Sequence, residues 1–310
     1  MPYSIANFGP GFDRLGLCLN GPPEWASFAP GGRGLRITVV GDPLVPRAPR
    51  RNVAAVAFRW TTRQLGAPEA NGELTLVKRT NGGSGLGSSG ASALAGALLG
   101  ARQAGTDLAD RRALETVLRG AAEGERAASG AAHYDNVAAS LFGGLALIES
   151  LDPLRVHRID PGSGLRIAVA TPADRVVTRT ARRAIPSRIP REDAVTNLGC
   201  LGALLLGAVQ RDPRSVGRAL TDRIAEPYRA SLVPGYFDAV AAARAEGAWG
   251  AALAGSGPSV FAIAPARCAA AVARAMAEVF DRHRSGARGW VTGTGRGARF
   301  APARAGEPGR

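Results

Sequence analysis

Residues 81–92 read NGGSGLGSSGAS, a run of glycine and serine between a strand-like segment and a helix-like one. Glycine lets the backbone turn sharply with its N–H groups pointing inward, and a helix N-terminus adds about half a positive charge. Phosphate fits such a loop. The alternative is an ordinary strand-to-helix turn in which a serine caps the helix. Because glycine and serine are so dense here, the stretch predicts an anion site in an α/β unit.

Two known phosphate loops compete for this stretch. The Walker A pattern GxxxxGK[ST] needs a lysine, but the residue after Gly87 is Ser88, which excludes that class. Residues 85–90 match the dinucleotide pattern GxGxxG, yet Asp107, at the offset of the ribose-binding acid, comes two residues after Gly105 and is better interpreted as a helix cap. The remaining interpretation is a loop with adjacent hydroxyls, Ser88 and Ser89, that can offer an oxygen ligand to Mg²⁺.

The segments around the loop predict an α+β chain. A turn rich in Pro, Gly and Ser near 153–164 predicts a boundary between domains 1–155 and 156–296, with an antiparallel sheet in the second and a basic Gly/Pro/Arg tail at 297–310. Predicted strands lie at 35–40, 73–77, 142–148, 165–170, 259–264 and 289–294. Predicted helices lie at 52–65, 91–104, 109–128, 192–210, 213–225, 236–246 and 269–283.

Length and composition indicate a folded globular protein. The 310 residues are 45% hydrophobic and 21% charged, which suits about two domains with sizeable cores and excludes collagen-like and wholly disordered chains. The three cysteines, Cys18, Cys200 and Cys268, are far apart and have no CxxC or Cys/His spacing. They therefore indicate neither a zinc site nor a disulfide framework.

The net charge of +14 comes almost wholly from arginine, since Lys78 is the single lysine of the sequence. Coding bias explains this better than a nucleic-acid surface, because the basic residues are scattered and aromatic residues are only 5%. Arginine also suits carboxylates and phosphates, because its guanidinium group donates two parallel hydrogen bonds. We therefore expect an acidic small-molecule substrate and no nucleic-acid partner.

The N-terminal stretch and the apolar runs bear on localisation. MPYSIANFGPGFD lacks a basic segment followed by an apolar one, so no signal peptide is predicted. The longest apolar run, 198–209, is shorter than the roughly 20 residues that a membrane span requires. We expect a cytoplasmic protein without a membrane partner.

Six segments together resemble the GHMP kinase superfamily. Residues 85–92 (GLGSSGAS) resemble the phosphate loop of this superfamily. Residues 4–16 (SIANFGPGFDRLG) resemble its first motif, and residues 253–263 (LAGSGPSVFAI) resemble its third. Stretches of the homoserine kinases within it resemble residues 123–138 (EGERAASGAAHYDNVA), 178–186 (TRTARRAIP) and 224–235 (IAEPYRASLVPG). Asn81, Gly90 and Ala254 depart from the superfamily pattern without removing a reacting group.

The resemblance implies a two-domain GHMP kinase fold. Its N-terminal α/β domain is of the ribosomal-S5-like type and contains a left-handed βαβ crossover, which the general right-handed rule would not anticipate. Its C-terminal domain is ferredoxin-like, and ATP lies in the cleft between the two. Such kinases are often dimers, so a homodimer is kept as a hypothesis.

The reaction implied by the resemblance is Mg²⁺-dependent transfer of the ATP γ-phosphoryl group to the side-chain hydroxyl of L-homoserine, in threonine biosynthesis. Two alternatives stay open. One is a GHMP-family kinase for another hydroxylated acid or amino alcohol, and the other is a catalytically silent binding protein on the same fold. No general base is evident, as is often described for homoserine kinases.

The resemblance also assigns the nucleotide and metal residues. Asn52 corresponds to a position near the adenine base, while Ser89 (or Ser88) and Glu125 correspond to the Mg²⁺ ligands. Glu123 competes for the metal role, and an exposed pair of Glu125 with Arg126 is the structural alternative. The loop residues that wrap the phosphates are Gly83, Ser84, Gly85, Leu86, Gly87, Ser88 and Ser89.

Homoserine is a zwitterion, so its carboxylate needs guanidinium groups and its ammonium group needs carboxylates. By resemblance, Arg182 and Arg229 bind the carboxylate and Asp13 binds the ammonium group. Asn7 orients the attacking hydroxyl and is, with Ser89 and Glu125, a catalytic candidate. The other candidates for the substrate pocket are His133, Asp135, Thr178 and Gly255.

Three of these residues have structural alternatives. Arg229 could pair with Glu226 at i, i+3, Asp135 could cap the apolar run after it, and His133 could be a structural histidine.

Overall fold

The chain folds into three β-sheets covered by helices, as seen in a computed structural model that describes residues 1–69, 71–79, 82–283 and 286–301. The strands are β1 (Ser4–Ala6), β2 (Leu15–Cys18), β3 (Trp25–Pro30), β4 (Leu35–Val40), β5 (Gly72–Val77), β6 (Leu145–Leu151), β7 (Leu154–Ile159), β8 (Ile167–Thr171), β9 (Gly250–Leu253), β10 (Val260–Ile263) and β11 (Arg288–Thr292). The helices are α1 (Val53–Gln64), α2 (Ser88–Gln103), α3 (Arg111–Ser129), α4 (Asp135–Phe142), α5 (Thr178–Arg183), α6 (Arg191–Val209), α7 (Pro213–Arg218), α8 (Glu226–Arg229), α9 (Tyr236–Ala245) and α10 (Ala269–His283), with a 3₁₀ turn at Ala230–Leu232.

The first domain contains two sheets. One is antiparallel, with the order β1-β2-β6-β7, and the other has the order β3-β5-β4. In the second sheet β4 and β5 are adjacent and parallel, with α1 between them in the chain, as the expected βαβ crossover requires. Its left-handed sense stays a prediction.

Small residues let helices α1, α2 and α3 pack closely on each other. Helix α2 is almost wholly buried, as its composition predicts. A Cβ added at Gly96 would overlap the carbonyl oxygen of Ala54, and one at Gly124 would lie 2.5 Å from that of Val53. The backbone of α1 therefore approaches both neighbouring helices directly, and this bundle supports the start of α2.

The second domain is a four-stranded antiparallel sheet with the order β11-β8-β10-β9. Numbered within the domain, these strands follow the order 4-1-3-2, with α9 before the second strand and α10 before the fourth. This β-α-β-β-α-β arrangement confirms the ferredoxin-like expectation. Helices α5 to α8 are inserted between β8 and α9, and they carry several of the predicted site residues.

The predicted domain boundary needs correction. Residue 155 lies inside β7, which forms a hairpin with β6 and completes the first sheet, so the connection between the domains is 160–166. The start of the predicted tail at 297–310 is not a free tail. Ala298 N donates a hydrogen bond of 2.7 Å to Ser140 O, which attaches this residue to the first domain. Residues 302–310 lie outside the described residues.

Two predicted elements are wrong in extent. The helix predicted at 213–225 ends at Arg218, because the carboxylate of Asp222 binds the backbone N–H groups that follow it and starts a new turn. The strand predicted at 142–148 begins only at Leu145, because helix α4 runs to Phe142 and the chain then turns through two glycines with positive φ.

An apolar core joins the two domains. The rings of Phe8 and Phe261 stack with their centroids 5.3 Å apart. Leu17 of the first sheet and Ile263 of the second belong to the same buried cluster. Because burial of this shared surface is favourable, the walls of the cleft between the domains are held at a defined spacing.

A buried carboxyl group supports the inserted segment. Glu226 accepts a hydrogen bond from Leu253 N at 2.8 Å and is also bonded to the Tyr236 hydroxyl. Burial raises the pKa of Glu226 to about 7, although these hydrogen bonds oppose the shift. Helix α8 begins at Glu226 and ends at Arg229, so this carboxyl helps to place that arginine.

We expect Glu226→Gln to reduce the dependence of stability on pH. The folded protein keeps the Glu226 proton up to a pKa of about 7, whereas the unfolded chain releases it near the ordinary value of 4.5. The stabilisation that comes from this bound proton is therefore fully present below pH 4.5 and is lost as pH rises through about 7. Between pH 5 and pH 8 the wild-type free energy of unfolding should fall by about 2 to 3 kcal/mol relative to the variant.

Urea unfolding at the two pH values measures this difference. Glu278→Gln, on the exposed side of α10, controls for the loss of one carboxyl and should follow the wild type. Parallel pH dependences for wild type and Glu226→Gln would contradict the expectation.

Candidate active site

A cleft lies between the domains. Ala6, Gly90, Asn136 and Ser256, which the sequence analysis did not select, also contribute to its walls. Arg182 borders it through an ion pair with Asp13. The predicted site residues that line it are Asn7, Asp13, Gly83, Ser84, Gly85, Leu86, Gly87, Ser88, Ser89, Glu125, His133, Asp135, Thr178, Arg229 and Gly255.

The glycine-rich loop has the shape of an anion cradle. Gly83, Gly85 and Gly87 have φ values of 80°, 83° and 66°, a region that favours glycine. A Cβ at Gly85 would overlap the carbonyl oxygen of Ala254. No side chain caps α2, so its first N–H groups are left for a ligand or solvent. The Ser84 hydroxyl is buried without a hydrogen-bond partner among the described residues. These features fit a bound phosphate.

The second domain braces this loop. Ser259 donates to the carbonyl oxygen of Ser84 twice, from its backbone N at 3.2 Å and from its hydroxyl at 2.6 Å. Thr178 Oγ1 lies 3.5 Å from Ser256 Oγ, which ties the start of α5 to the same turn. The motif at 253–263 therefore acts by holding the cradle in place across the domain interface.

Beneath the loop lies a buried ion pair that the sequence analysis missed. Lys78 donates to the carboxylate of Glu24, to Ser88 O at 2.9 Å and to Ser92 Oγ at 2.7 Å. The hydroxyl of Ser88 donates to Glu24 as well, at 2.8 Å. One signal was present in the sequence: the single lysine of an arginine-rich chain directly follows β5, just before the loop.

The ion pair also separates the roles of the two loop serines. Because the Ser88 hydroxyl is directed toward Glu24, the hydroxyl available beside the cleft carboxylate is that of Ser89. Ser89 Oγ donates to Glu125 Oε1 at 2.5 Å. The sequence analysis left the choice between the two serines open, and the geometry favours Ser89.

Helix α3 presents Glu125 toward this serine. Glu125 is only 7% exposed, and burial raises its pKa, against the opposing effects of the Ser89 hydrogen bond and of His133. The competing residue, Glu123, pairs instead with Arg126 at 3.2 Å on the outer side of the helix. The exposed Glu125–Arg126 alternative is therefore replaced by a Glu123–Arg126 pair.

A carboxylate and a hydroxyl beside a phosphate cradle are ligands that suit Mg²⁺. Among the described residues, no group of three or more His, Cys, Asp or Glu side chains could hold a metal ion by itself. A cation at Ser89 and Glu125 would thus take further ligands from the phosphates and water, as Mg²⁺ commonly does.

At the other end of the cleft, Asp13 and Arg182 bind each other. The guanidinium group donates to the two carboxylate oxygens at 3.1 and 2.6 Å. The sequence analysis assigned these residues to opposite ends of a zwitterion, and the structure shows them as a bidentate pair. Burial by itself would raise the pKa of Asp13, but the nearby imidazole of His133 and the hydrogen-bonded guanidinium group of Arg182 outweigh it and hold the pKa well below its usual range.

His133 completes this group. Its Nδ1 atom lies 3.7 Å from Asp13 Oδ1. Burial lowers the pKa of His133, but Asp13 and the neighbouring carboxylates of Asp135 and Glu125 outweigh burial, and the net shift is upward. The histidine is therefore part of the charge network of the cleft and adds positive charge to it as pH falls.

A strained turn carries Asn7 into the cleft. Its φ of 65° is in the left-handed region, where a side chain is costly and where functional sites often store strain. Asn7 N donates to the buried carboxylate of Asp135 at 3.1 Å, and Asn7 Oδ1 accepts from Asp13 N at 3.1 Å. Asp135 also accepts from Asn136 N at 2.8 Å, so it braces both this turn and the start of α4.

Arg229 is held almost entirely inside the protein. It is 4% exposed and donates to Gly255 O at 3.0 Å and to Ala181 O at 3.3 Å. The alternative pair with Glu226 is not formed, because that carboxyl binds Leu253 N.

Phe12, a second residue missed from the sequence, lies between the two arginines. Its ring centroid is 5.8 Å from the guanidinium carbon of Arg182 and 5.5 Å from that of Arg229. Cation–π attraction therefore helps to hold both groups on one side of the cleft.

Asn197 on α6 was also missed. Its amide group donates to Pro10 O at 2.8 Å, and its side-chain oxygen accepts from Arg223 N at 3.0 Å. These contacts join the turn that carries Asp13 to the segment that carries Arg229. An asparagine within an apolar helical run was the available signal, since buried polar groups are normally hydrogen-bonded.

Asn52 does not line the cleft. It is fully buried at the start of α1, where its side-chain oxygen accepts from Ala54 N and Ala55 N and its amide donates to Pro46 O. These bonds make it the N-cap of α1. The expectation that Asn52 lies near the adenine base stays a prediction, and its hydrogen bonds give it a structural role at the start of α1.

Comparisons with known proteins agree with this architecture. The model of the GHMP kinases N terminal domain matches residues 52–144, and that of the GHMP kinases C terminal matches residues 201–282. A homoserine kinase of Pyrococcus abyssi is 41% identical over 96% of this chain and 97% of its own length. One of Thermococcus gammatolerans is 43% identical over 95% and 97%.

Solved structures show the same likeness. A homoserine kinase from Cytophaga hutchinsonii superposes with a TM-score of 0.86 at 33% identity, over 96% of this chain and 94% of that one. A mevalonate kinase of L. major, at 16% identity and a TM-score of 0.69, shares the fold over 96% and 95% of the two chains. Both family models match in chain order, and the cradle, the cleft and the 4-1-3-2 sheet agree with them, so this chain belongs to the GHMP kinase family and, within it, to the homoserine kinases.

Proposed function

We propose that this protein transfers the γ-phosphoryl group of ATP to the side-chain hydroxyl of L-homoserine, giving ADP and O-phospho-L-homoserine. The observation that carries the proposal is that one cleft holds an anion cradle at one end and the Asp13–Arg182 pair beside Arg229 at the other. The first suits a nucleotide phosphate and the second suits an amino-acid zwitterion. The homoserine kinases among the relatives support this substrate.

At the nucleotide end, we assign the phosphates of ATP to the loop from Gly83 to Ser89. Ser89 and Glu125 would hold Mg²⁺, which neutralises charge on the transferring phosphoryl group when it is bound. Phosphoryl transfer depends mainly on positioning and on charge stabilisation, so a cradle fixed by Lys78 and Ser259 is well suited to it.

At the substrate end, binding of the amino acid would replace the contact between Asp13 and Arg182 by contacts of each residue with the substrate. Its ammonium group would bind Asp13, and its carboxylate would bind Arg182 and Arg229. Since Asp13 and Arg182 already neutralise each other, a zwitterion adds equal and opposite charges to the site. The low pKa of Asp13 keeps this carboxylate ionised at neutral pH.

The hydroxyl is then directed toward the cradle. We assign to Asn7 the role of orienting this hydroxyl, because the strained turn places Asn7 between Asp13 and Asp135. Asp135 accepts two backbone N–H groups, which makes it a bracing group. By resemblance to the homoserine kinases, the proton of the hydroxyl passes to the γ-phosphate.

The direct test is an ADP-release assay with ATP, Mg²⁺ and a panel of hydroxylated substrates: L-homoserine, L-serine, L-threonine, pantoate and an amino alcohol that lacks the carboxylate. We expect L-homoserine to give the highest kcat/KM. Turnover only with another member of the panel would contradict the substrate assignment while keeping the kinase. No turnover with any of them would favour a silent binding protein.

We expect Arg182→Ala and Arg229→Ala each to raise KM for homoserine by roughly 10- to 150-fold, because each removes a charge-assisted contact worth about 1.5 to 3 kcal/mol. KM for ATP should barely change. Arg-to-Lys variants should rescue poorly, since a point charge cannot reproduce the guanidinium geometry. Arg183→Ala, a neighbouring exposed arginine of α5, is the matched control. Equal changes in both Michaelis constants would show that these arginines support the fold or the nucleotide.

We expect Glu125→Gln to lower kcat by about 100-fold or more and to raise the Mg²⁺ concentration needed for half-maximal rate, because metal-mediated charge stabilisation is worth several kcal/mol. Glu123→Gln removes the competing carboxylate from the same helix and should leave both quantities near the wild-type values. Steady-state rates over an Mg²⁺ titration measure them. A Glu125→Gln enzyme with an unchanged Mg²⁺ profile would remove this residue from the metal site.

A further inference from the structure

A second ion pair crosses between the domains, at the nucleotide end of the cleft. Arg175 lies in the segment between β8 and α5, and its Nη2 atom is 3.5 Å from Asp42 Oδ1, just after β4. The Asp42 side chain is completely buried, whereas that of Arg175 is 31% exposed. The sequence analysis selected neither residue, and the proposed reaction uses neither of them.

Asp42 binds Gly82, at the start of the glycine-rich loop. Its Oδ2 atom accepts a hydrogen bond from Gly82 N at 2.9 Å, and its Oδ1 atom accepts one from Leu44 N at 3.0 Å. A buried carboxylate needs such partners, because taking its charge out of water is costly. The guanidinium group of Arg175 supplies the opposite charge from the second domain. The position of Gly82 therefore depends on a carboxylate whose charge is balanced by the other domain.

The next two loop residues are held by the backbone and side chains of the second domain. The carbonyl oxygen of Gly83 accepts from Val176 N at 3.2 Å. That of Ser84 accepts from the backbone N and the hydroxyl of Ser259. Carbonyl oxygens carry partial negative charge, so a loop that binds phosphate has to direct them away from the ligand and its N–H groups toward it. The two contacts hold the carbonyl oxygens in that direction.

Together these contacts form a closed circuit around the start of the loop. It runs from Asp42 to Gly82 and Gly83, then to Val176, and back through the adjacent Arg175 to Asp42. The stem of Arg175 also lies against the loop, since a Cβ added at Gly83 would be 3.2 Å from Arg175 Cβ. The ion pair closes the circuit, because the other links are peptide bonds or hydrogen bonds to the backbone. Breaking it leaves Gly82 and Gly83 with fewer restraints on their conformation.

We propose that Asp42 and Arg175 are positioning residues that hold the start of the glycine-rich loop in the conformation that binds the nucleotide phosphates. The inference rests on the proposed function, because it takes a nucleotide as the ligand of this loop. Neither side chain is among those that line the cleft, so both act through the loop backbone.

The substrate end of the cleft is fixed by separate contacts. Arg182 pairs with Asp13, and Arg229 donates to the carbonyl oxygen of Ala181 in the same helix, α5. Breaking the circuit should therefore weaken the binding of the nucleotide more than that of the amino acid. This difference separates a positioning role from a general loss of structure.

Isothermal titration calorimetry of the full chain with AMP-PNP and Mg²⁺ measures nucleotide binding without turnover. Arg175→Met keeps an unbranched side chain against Gly83 but removes the charge, and it should raise Kd roughly 10-fold. Arg175→Lys should stay within about 3-fold of the wild type, because a single nitrogen makes the contact and an ammonium group can replace it. Arg183→Met, at an exposed arginine of α5, is the matched control and should leave Kd unchanged.

A double-mutant cycle tests whether the ion pair is the cause. Asp42→Asn removes the charge and turns an amide NH₂ group toward a backbone N–H group, so it should raise Kd about 10-fold or more. In the Asp42→Asn background, Arg175→Met should have little further effect, because residues that act through one contact are not additive. Additive effects would show that the two residues act independently and would overturn the proposal.

Steady-state kinetics and thermal melting complete the test. Arg175→Met should melt near the wild-type temperature and raise KM for ATP, while KM for homoserine changes by less than about 2-fold. An unchanged Kd for AMP-PNP in both single variants, or equal changes in the two Michaelis constants, would overturn the proposal. A wild type that binds AMP-PNP without phosphorylating homoserine would contradict the proposed activity alone, since calorimetry still decides the role of the ion pair. A wild type that does not bind AMP-PNP would overturn both.

Discussion

The site depends on the buried ion pair between Lys78 and Glu24. Taking both charges out of water is costly, and the arrangement persists because Ser88 and Ser92 satisfy the remaining hydrogen-bonding groups. The pair ties the start of α2 to the strand before it, and so sets the position of the cradle. Glu24 also accepts the hydroxyl of Ser88, so that the loop hydroxyl beside Glu125 in the cleft is that of Ser89. The geometry of the cradle therefore rests on an ion pair that is buried beneath the cleft.

The proposed substrate end of the cleft is assembled across the domain interface. Asp13 comes from the first domain and Arg182 from the second, 169 residues apart, and Phe12 lies between the two arginines. A ferredoxin-like sheet supplies the frame, and the inserted helices α5 to α8 supply the side chains. Because Asn197 joins both contributing segments, α6 links the substrate pocket to the outer surface of the protein.

Much of this could be predicted from the sequence, because the signals are local. The glycines of the cradle, the apolar periodicity of the long helices and the antiparallel second domain all follow from neighbouring residues. The failures have equally physical causes. The helix predicted after Pro213 overlooked the turn that Asp222 organises. The N-cap role of Asn52 was not predicted, although this residue directly precedes a helical run. The strand β7 was missed because its hairpin turn resembles a domain linker.

The sequence by itself determined that the chain has a glycine-rich loop of a kind that fits phosphate, two domains that mix strands and helices, and the motifs of a GHMP kinase, since glycine conformation and motif order need no tertiary contact. Only the tertiary structure distinguishes the members of each pair of candidates, because it shows which partner each side chain has. Ser89 is favoured over Ser88, and Glu125 over its neighbour Glu123, by what lies opposite each side chain. The hydrogen-bond partner of a side chain can be distant in the chain, as Ser89 and Glu125 are, 36 residues apart. The residues next to Ser89 therefore cannot predict which partner its hydroxyl has.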